Sequence, residues 1–171
     1  MTSTTPAPLA IAVVGAGVCS TETGRIAEEV GRQIARAGAL LVCGGMGGVM
    51  EAACRGATEE GGLTIGILPG FTRDAANPYV RVPIATGLGE VRNALIVRTV
   101  DAVIAIDGEF GTLSEIALAL KIGKPVIGLG TWQLLKDGQP DQTVVRARDA
   151  QDAATKALSM AQRPVILLQK K

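Results

Sequence analysis

Three times in this chain an apolar run of strand length ends in a glycine-rich turn and passes into a helical pattern, and this repeat limits the possible folds more than any other feature. Leu9–Val14 leads into Gly15-Ala16-Gly17-Val18-Cys19-Ser20, Leu40–Cys43 into Gly44-Gly45-Met46-Gly47-Gly48, and Asp101–Ile106 into Asp107-Gly108-Glu109-Phe110-Gly111-Thr112. The runs are continuous rather than alternating, as strands covered on both faces require. Strands separated by helices join through right-handed crossovers into a parallel sheet. The expected fold class is therefore α/β: a three-layer Rossmann-like fold with a central parallel sheet and helices on both faces.

Periodicity and punctuation supply the other elements. Ile26, Val30 and Ile34 mark one face of a helix over Glu22–Ala37, which Gly38 stops. Further helices are predicted over Val49–Glu59, Leu88–Thr99, Leu113–Ile122 and Asp149–Ala161. Further strands are predicted over Leu63–Leu68, Val80–Ala85 and Val126–Leu129, and near Val144-Val145, with Pro69–Tyr79 as a long loop. Residues 1–8 read as a loose N-terminal tail with neither the basic start nor the apolar stretch of a signal peptide. Residues 9–171 read as one nucleotide-binding domain, and Pro164–Leu168 as an added strand or a contact with a neighbour.

Composition narrows the function. Hydrophobic residues make up 47% of the chain but aromatics only 2%, so the core must be Val, Ile, Leu and Ala packed close to Gly, and base stacking on aromatics is disfavoured. Lys plus Arg number 17 against 16 Asp plus Glu, and no basic block stands out, so neither nucleic acid nor an anionic membrane is an expected partner. No apolar run is long enough to cross a bilayer. Cys19, Cys43 and Cys54 form no CxxC pair, which points to a reducing, cytoplasmic location. The absence of histidine rules out Ser-His triads and argues against a zinc site, so acid–base chemistry must come from carboxylates, Lys, Tyr or Cys.

Ligands of open parallel sheets sit beyond the carboxyl ends of the strands, where all three glycine-rich turns fall. Glycines there permit tight turns, but three such turns on one edge favour a phosphate site. Gly15, Gly17, Gly44, Gly45, Gly47, Gly108, Gly111 and Thr112 are its candidate ligand-binding residues. The site is not that of a dinucleotide dehydrogenase: Gly15-Ala16-Gly17 lacks the third glycine of GxGxxG, and no acidic residue ends the second strand. No GxxxxGK[ST] is present either.

Two charged residues stand out. Thr112 and Glu115 have capping-box spacing, in which Glu115 would merely close back on the helix start. The helix Leu113–Ile122 is nevertheless apolar nearly all round, which predicts burial on both sides and a second side set against another subunit. On Leu88–Thr99, Arg92 falls inside the apolar arc of Leu88, Val91, Leu95 and Ile96. A buried arginine needs an anion, either a carboxylate such as Glu115 or a ligand phosphate; the bland alternative is an Arg92 that snorkels to water. Cys43 and Cys54 read as small core groups. Cys19, near a helix start, reads the same way, with a lowered pKa as the reactive alternative. Trp132 reads as a rim of the site or a subunit contact.

Arg92 through Glu115, with Asp107-Gly108-Glu109-Phe110-Gly111-Thr112 inside it, resembles the R-K…PGGxGTxxE signature of the LOG superfamily, and Gly44-Gly45-Met46-Gly47-Gly48-Val49-Met50-Glu51 resembles that family's GGGxxGLMG turn. The likeness runs from about Ile11 to Trp132. It implies a phosphoribohydrolase that releases the base and ribose 5-phosphate from nucleoside monophosphates, with Arg92 and Glu115 catalytic and Gly108, Gly111 and Thr112 on the phosphate. Asp107, Glu109 and Asn93 depart from the motif, and extra carboxylates beside an anion must point away or hold a divalent metal. With Ile67-Leu68-Pro69-Gly70, Asn77-Pro78-Tyr79 and Thr86-Gly87-Leu88-Gly89, the departures resemble a short branch similar to the molybdenum cofactor carrier. That likeness implies a carrier for a phosphorylated pterin or nucleotide, with Asn93 among its ligand-binding residues; a homodimer or higher homo-oligomer is predicted from the doubly apolar helix Leu113–Ile122.

Overall fold

The computed structural model describes residues 7–161. In chain order it contains β1 (Ala10–Gly15), α1 (Thr21–Arg36), β2 (Leu40–Cys43), α2 (Val49–Glu59), β3 (Thr64–Leu68), β4 (Val82–Ala85), a 3-10 turn (Gly89–Arg92), α3 (Asn93–Thr99), β5 (Ala102–Ile106), α4 (Phe110–Lys121), β6 (Val126–Leu129), β7 (Leu135–Lys136), β8 (Gln139–Pro140), β9 (Val144–Arg146) and α5 (Ala150–Ala161). Seven parallel strands form one sheet in the order β4-β3-β2-β1-β5-β6-β9, as the continuous apolar runs predict. One face is covered by α1, α2 and α5 over Ile11, Val13, Leu41 and Ile104. The other is covered by α3 and α4 over Ala12, Val14, Val42 and Val103. Alternate residues of each central strand thus enter different cores.

Small residues let the first layer close tightly. A Cβ on Gly31 of α1 would run into the carbonyl of Ala53, and one on Gly56 of α2 into that of Glu28, so the two helices touch backbone to backbone. Ser20 caps α1, accepting the Thr23 amide at 3.0 Å. Residues 1–6 of the expected tail and the Pro164–Leu168 segment lie outside the described residues.

The structure corrects several expectations. The helix predicted over Leu88–Thr99 is two pieces, a 3-10 turn and a seven-residue α3. Leu88 and Val91 are 47% and 71% exposed, and the buried face is instead Arg92, Asn93, Ile96 and Val97. The physical reason is the change from three to 3.6 residues per turn at Arg92-Asn93, which rotates one piece against the other and misplaces a single helical wheel. The capping box does not form: α4 begins at Phe110 with Glu109 as its cap residue and no side-chain cap bond, so Thr112 already lies in the first turn. Leu118 and Ile122, on the second apolar side of α4, are half-buried against the core, so part of that side is used within the chain. The β7–β8 hairpin was not predicted; it turns on Asp137 and Gly138, both at positive φ.

Candidate functional site

β1 and β5 are neighbours, yet β2–β4 extend to one side of them and β6 and β9 to the other. That switch in direction opens a crevice at the carboxyl ends. A cleft of about 330 Å³ occupies it, lined by Gly15–Val18 from the β1–α1 turn, Met46 from the β2–α2 turn, Met50 from the start of α2, Glu90, Arg92 and Asn93, and Glu109, Gly111, Thr112 and Glu115 around the start of α4. Six calls from sequence meet there with Thr112: Gly15, Gly17, Arg92, Asn93, Gly111 and Glu115 line one space.

Arg92 is only 5% exposed and Glu115 6%. Their Nη1 and Oε1 lie 3.7 Å apart, an ion pair without a hydrogen bond. Arg92 Nη1 donates to Asn93 Oδ1, and its buried Nε has no partner among the described residues. A guanidinium carries five N–H donors, so this one is poorly satisfied by its own chain. Asn93 continues the connection: its Nδ2 donates to Ser114 Oγ at 3.0 Å, and Ser114 Oγ donates to the Gly111 carbonyl at 2.7 Å. Arg92 is thereby tied to the first turn of α4, and Asn93 acts on the cleft largely by holding Arg92. Burial pushes the Glu115 carboxyl up to about 7; Arg92 pulls against that shift, and Glu90 adds to it.

The start of α4 supplies donors. Its first backbone bond runs from the Leu113 amide to the Glu109 carbonyl at 3.0 Å, and among the described residues the amides of Gly108–Thr112 donate to no protein acceptor. Such free amides, with the helix dipole behind them, favour an anion.

The other predicted glycines stand behind the walls. A Cβ on Gly44 would come within 2.7 Å of Arg92 Nη2, so this glycine seats the guanidinium. Gly45, at positive φ, packs on Leu68 and Gly66, and Gly47 approaches the Gly17 carbonyl. Gly108 lacks the Cβ that would collide with the Thr112 side chain. Sequence reasoning missed Asn77, whose buried Nδ2 donates to the carbonyls of Gly45 (3.2 Å) and Met46 (2.8 Å), clasping the Pro69–Tyr79 loop to the glycine-rich turn. It also missed Ser114 and the cleft-lining Glu90, which carry no motif.

The cysteines stay apart from this chemistry. Cys43 and Cys54 are fully buried, with sulfurs 3.5 Å apart, and the contact with Cys43, then burial, pushes the Cys54 thiol up. Burial, and then Asp107, raise rather than lower the Cys19 thiol, against the reactive alternative. Among the described residues no three His, Cys, Asp or Glu side chains gather into a cation site, and Asp107 and Glu109 are both exposed. No helix among these residues is long and apolar enough to cross a membrane.

Residues 8–168 match the sequence profile of the SLOG cluster4 family. The chain belongs to that family. Its LOG-like character agrees with the motifs around Arg92 and Glu115. The molybdenum cofactor binding protein of Rippkaea orientalis superposes on this SLOG chain with a TM-score of 0.82 at 37% identity, covering 91% of this chain and 99% of that one. The molybdenum cofactor carrier protein of Chlamydomonas reinhardtii gives 0.77 at 32% identity, covering 92% and 100%. A cytokinin riboside 5′-monophosphate phosphoribohydrolase of Rhodococcoides fascians is 34% identical over 106 residues, 56% of this chain and 50% of the enzyme. The SLOG chain thus matches half the length of that relative, and nearly all of the two molybdenum cofactor proteins.

Proposed function

We propose that this SLOG protein binds a phosphorylated, nucleotide-like small molecule, a nucleotide or a pterin-type cofactor, and carries it without turning it over. The carrying observation is Arg92: a nearly fully buried guanidinium with an unpartnered Nε, facing the same cleft as the free amides of α4. Burying a charge this way is costly unless an anion completes it. The cleft, about 330 Å³, falls within the roughly 300–1,000 Å³ range of small-molecule pockets. Arg92 and the amides of Phe110–Thr112 would hold the phosphate, with Gly15, Gly17, Met46 and Met50 against the rest of the ligand. For a pterin cofactor the metal chemistry belongs to the ligand, and the protein's share is retention and shielding. The likeness to a molybdenum cofactor binding protein and a molybdenum cofactor carrier protein, along nearly their whole length, supports this reading.

A second reading, nucleoside 5′-monophosphate hydrolysis, is favoured by Glu115. Its carboxyl, raised to about 7, lies beside Arg92 in the cleft. Ionised, it would stabilise a ribosyl cation as the C1′–N bond breaks; water then adds at C1′ and the base leaves with a proton. Incubating the purified protein with AMP and cytokinin monophosphates, and measuring ribose 5-phosphate, separates the two readings. Binding without release is the expected result; release abolished by Glu115→Gln would overturn the carrier. A homo-oligomer is proposed as well, on exposed Phe110 and Val91 beside the cleft, and a monomer in light scattering at micromolar concentration would refute it.

A further inference from the structure

Cys43 ends β2 one residue before Gly44, and Cys54 lies on α2 one turn after Met50, on the same face of that helix. Each thiol therefore adjoins a wall of the cleft. A Cβ on Gly44 would meet Arg92 Nη2 and Met50 Sδ, and the Gly45 carbonyl accepts both the amide and Nδ2 of Asn77. The two thiols are free, fully buried, and in contact across 3.5 Å. Cys43 Sγ also accepts the Gly45 amide at 3.3 Å. With that donor in place, the Cys54 S–H turned to the same sulfur makes Cys43 the acceptor of two bonds. The contact with Cys54 lowers the Cys43 thiol; burial opposes this, and the Gly45 amide and Arg92 add to the lowering.

We propose that Cys43 and Cys54 are a peroxide-oxidisable pair, and that their disulfide loosens the hold of the cleft on its ligand. The effect on the ligand rests on the phosphate reading of the cleft. The Cys43 thiolate attacks one peroxide oxygen, the O–O bond breaks, and the leaving hydroxide takes up a proton as water. The Cys54 sulfur then displaces water from the Cys43 sulfenic acid. The two thiols lose two electrons and two protons, and the peroxide becomes two waters. Peroxide is little larger than water, and a dithiol reverses the bond by exchange. A disulfide is about 2 Å long, so sulfurs now 3.5 Å apart must close by about 1.5 Å within a close-packed interior. Turning Cys43 Sγ towards Cys54 draws it off the Gly45 amide, and the displacement passes to Gly44 and Gly45, where Arg92 is seated and Asn77 clasps the turn. At the other end, drawing in Cys54 moves Met50, which lines the cleft.

The test uses the full-length chain carrying Cys19→Ser, so that Cys43 and Cys54 are its only thiols. The protein is treated with hydrogen peroxide, its free thiols are counted after denaturation, and cross-linked peptides are identified by mass. AMP is titrated by calorimetry into the reduced, oxidised and re-reduced forms, and amide exchange is followed over residues 44–50. Expected are a Cys43–Cys54 disulfide, about a tenfold loss of AMP affinity, and faster exchange in the turn, all reversed by dithiothreitol. Cys54→Ala, treated alike, should form no cross-link and keep its affinity. Oxidation of Met46 or Met50 would instead weaken that variant too and survive dithiothreitol, and such a loss overturns the proposal. So do two free thiols after treatment, or a disulfide that leaves the affinity unchanged. Reversal by dithiothreitol decides the matter even where Cys54→Ala does not fold. If AMP fails to bind the reduced protein, the nucleotide reading of the cleft falls and exchange decides the thiol pair: faster in the disulfide form, the switch stands; unchanged, it falls.

Discussion

On the outer face of α1 and α2, Arg32 pairs with Glu28, Glu29 and Glu59, Arg36 with Glu60, and Arg55 with Glu28, all in reach of water. In the cleft, Arg92 and Glu115 are almost wholly buried, 3.7 Å apart, and one guanidinium nitrogen has no partner. The crowded network is the safer place for charge, since each exposed pair contributes about 0–1 kcal/mol and can be lost cheaply. The sparse pair costs the fold more than it returns, because desolvation of each ion runs to several kcal/mol. Charge density is therefore a poor guide to function in this molecule. Incomplete satisfaction is the better one.

The largest test of that contrast is the pH dependence of stability. Glu115 holds its proton up to about pH 7 in the folded chain but loses it near pH 4.5 when unfolded. The folded state thus binds more protons between those values, so stability is highest below that window and falls as pH rises through it, by up to roughly 3 kcal/mol. Denaturant melts at pH 5 and pH 8 should show this fall in wild type and a much flatter profile in Glu115→Gln. A fall of the same size in Glu115→Gln would assign it elsewhere. Next comes ligand affinity: Arg92→Ala should weaken a phosphorylated ligand ten- to a hundredfold by calorimetry, consistent with the roughly 1.5–3 kcal/mol of hydrogen bonds to charged groups. Arg32→Ala should leave it unchanged, and equal losses would erase the contrast between the two regions.

A smaller effect sharpens the comparison. In Gly44→Ala the new methyl meets the ends of two flexible side chains, Arg92 Nη2 at 2.7 Å and Met50 Sδ at 2.8 Å, so the fold should persist while the guanidinium shifts. About a five- to tenfold loss of affinity with an unchanged melting midpoint is expected, since roughly 1.4 kcal/mol corresponds to tenfold. The smallest is Glu59→Gln, expected to cost less than about 1 kcal/mol and to vanish at high salt.

Much of the sheet was legible because each buried strand is a continuous apolar run that ends in glycine. Arg92 was legible for a partly mistaken reason. A single helical wheel placed it among Leu88, Val91 and Leu95, whereas Val91 is 71% exposed and the burial comes from the break between the 3-10 turn and α3. Periodicity cannot register a change of helix type within eleven residues. The β7–β8 hairpin was legible in Asp137-Gly138 and went unread, being too short for any apolar pattern. Thr112-x-x-Glu115 shows the opposite failure: the spacing fits a cap, but α4 starts one residue after Glu109, and Glu115 faces the cleft instead. Asn77 and Ser114 act through a few hydrogen bonds to other segments, and no local pattern in a chain marks which side chains make them.

The Asn77 clasp makes the two walls of the cleft unequal. On the Met46 side, a displacement must also break the bonds from Asn77 Nδ2 and the Asn77 amide, and so disturb the segment that leads to edge strand β4. In the β1–α1 turn the Gly17 carbonyl packs against Gly47 and Gly48, but Val18 is 90% exposed, so little resists a shift of that side chain. Ligands of different bulk should accordingly be accommodated by yielding at Val18 against a fixed anvil at Met46, and shape discrimination belongs to the anvil.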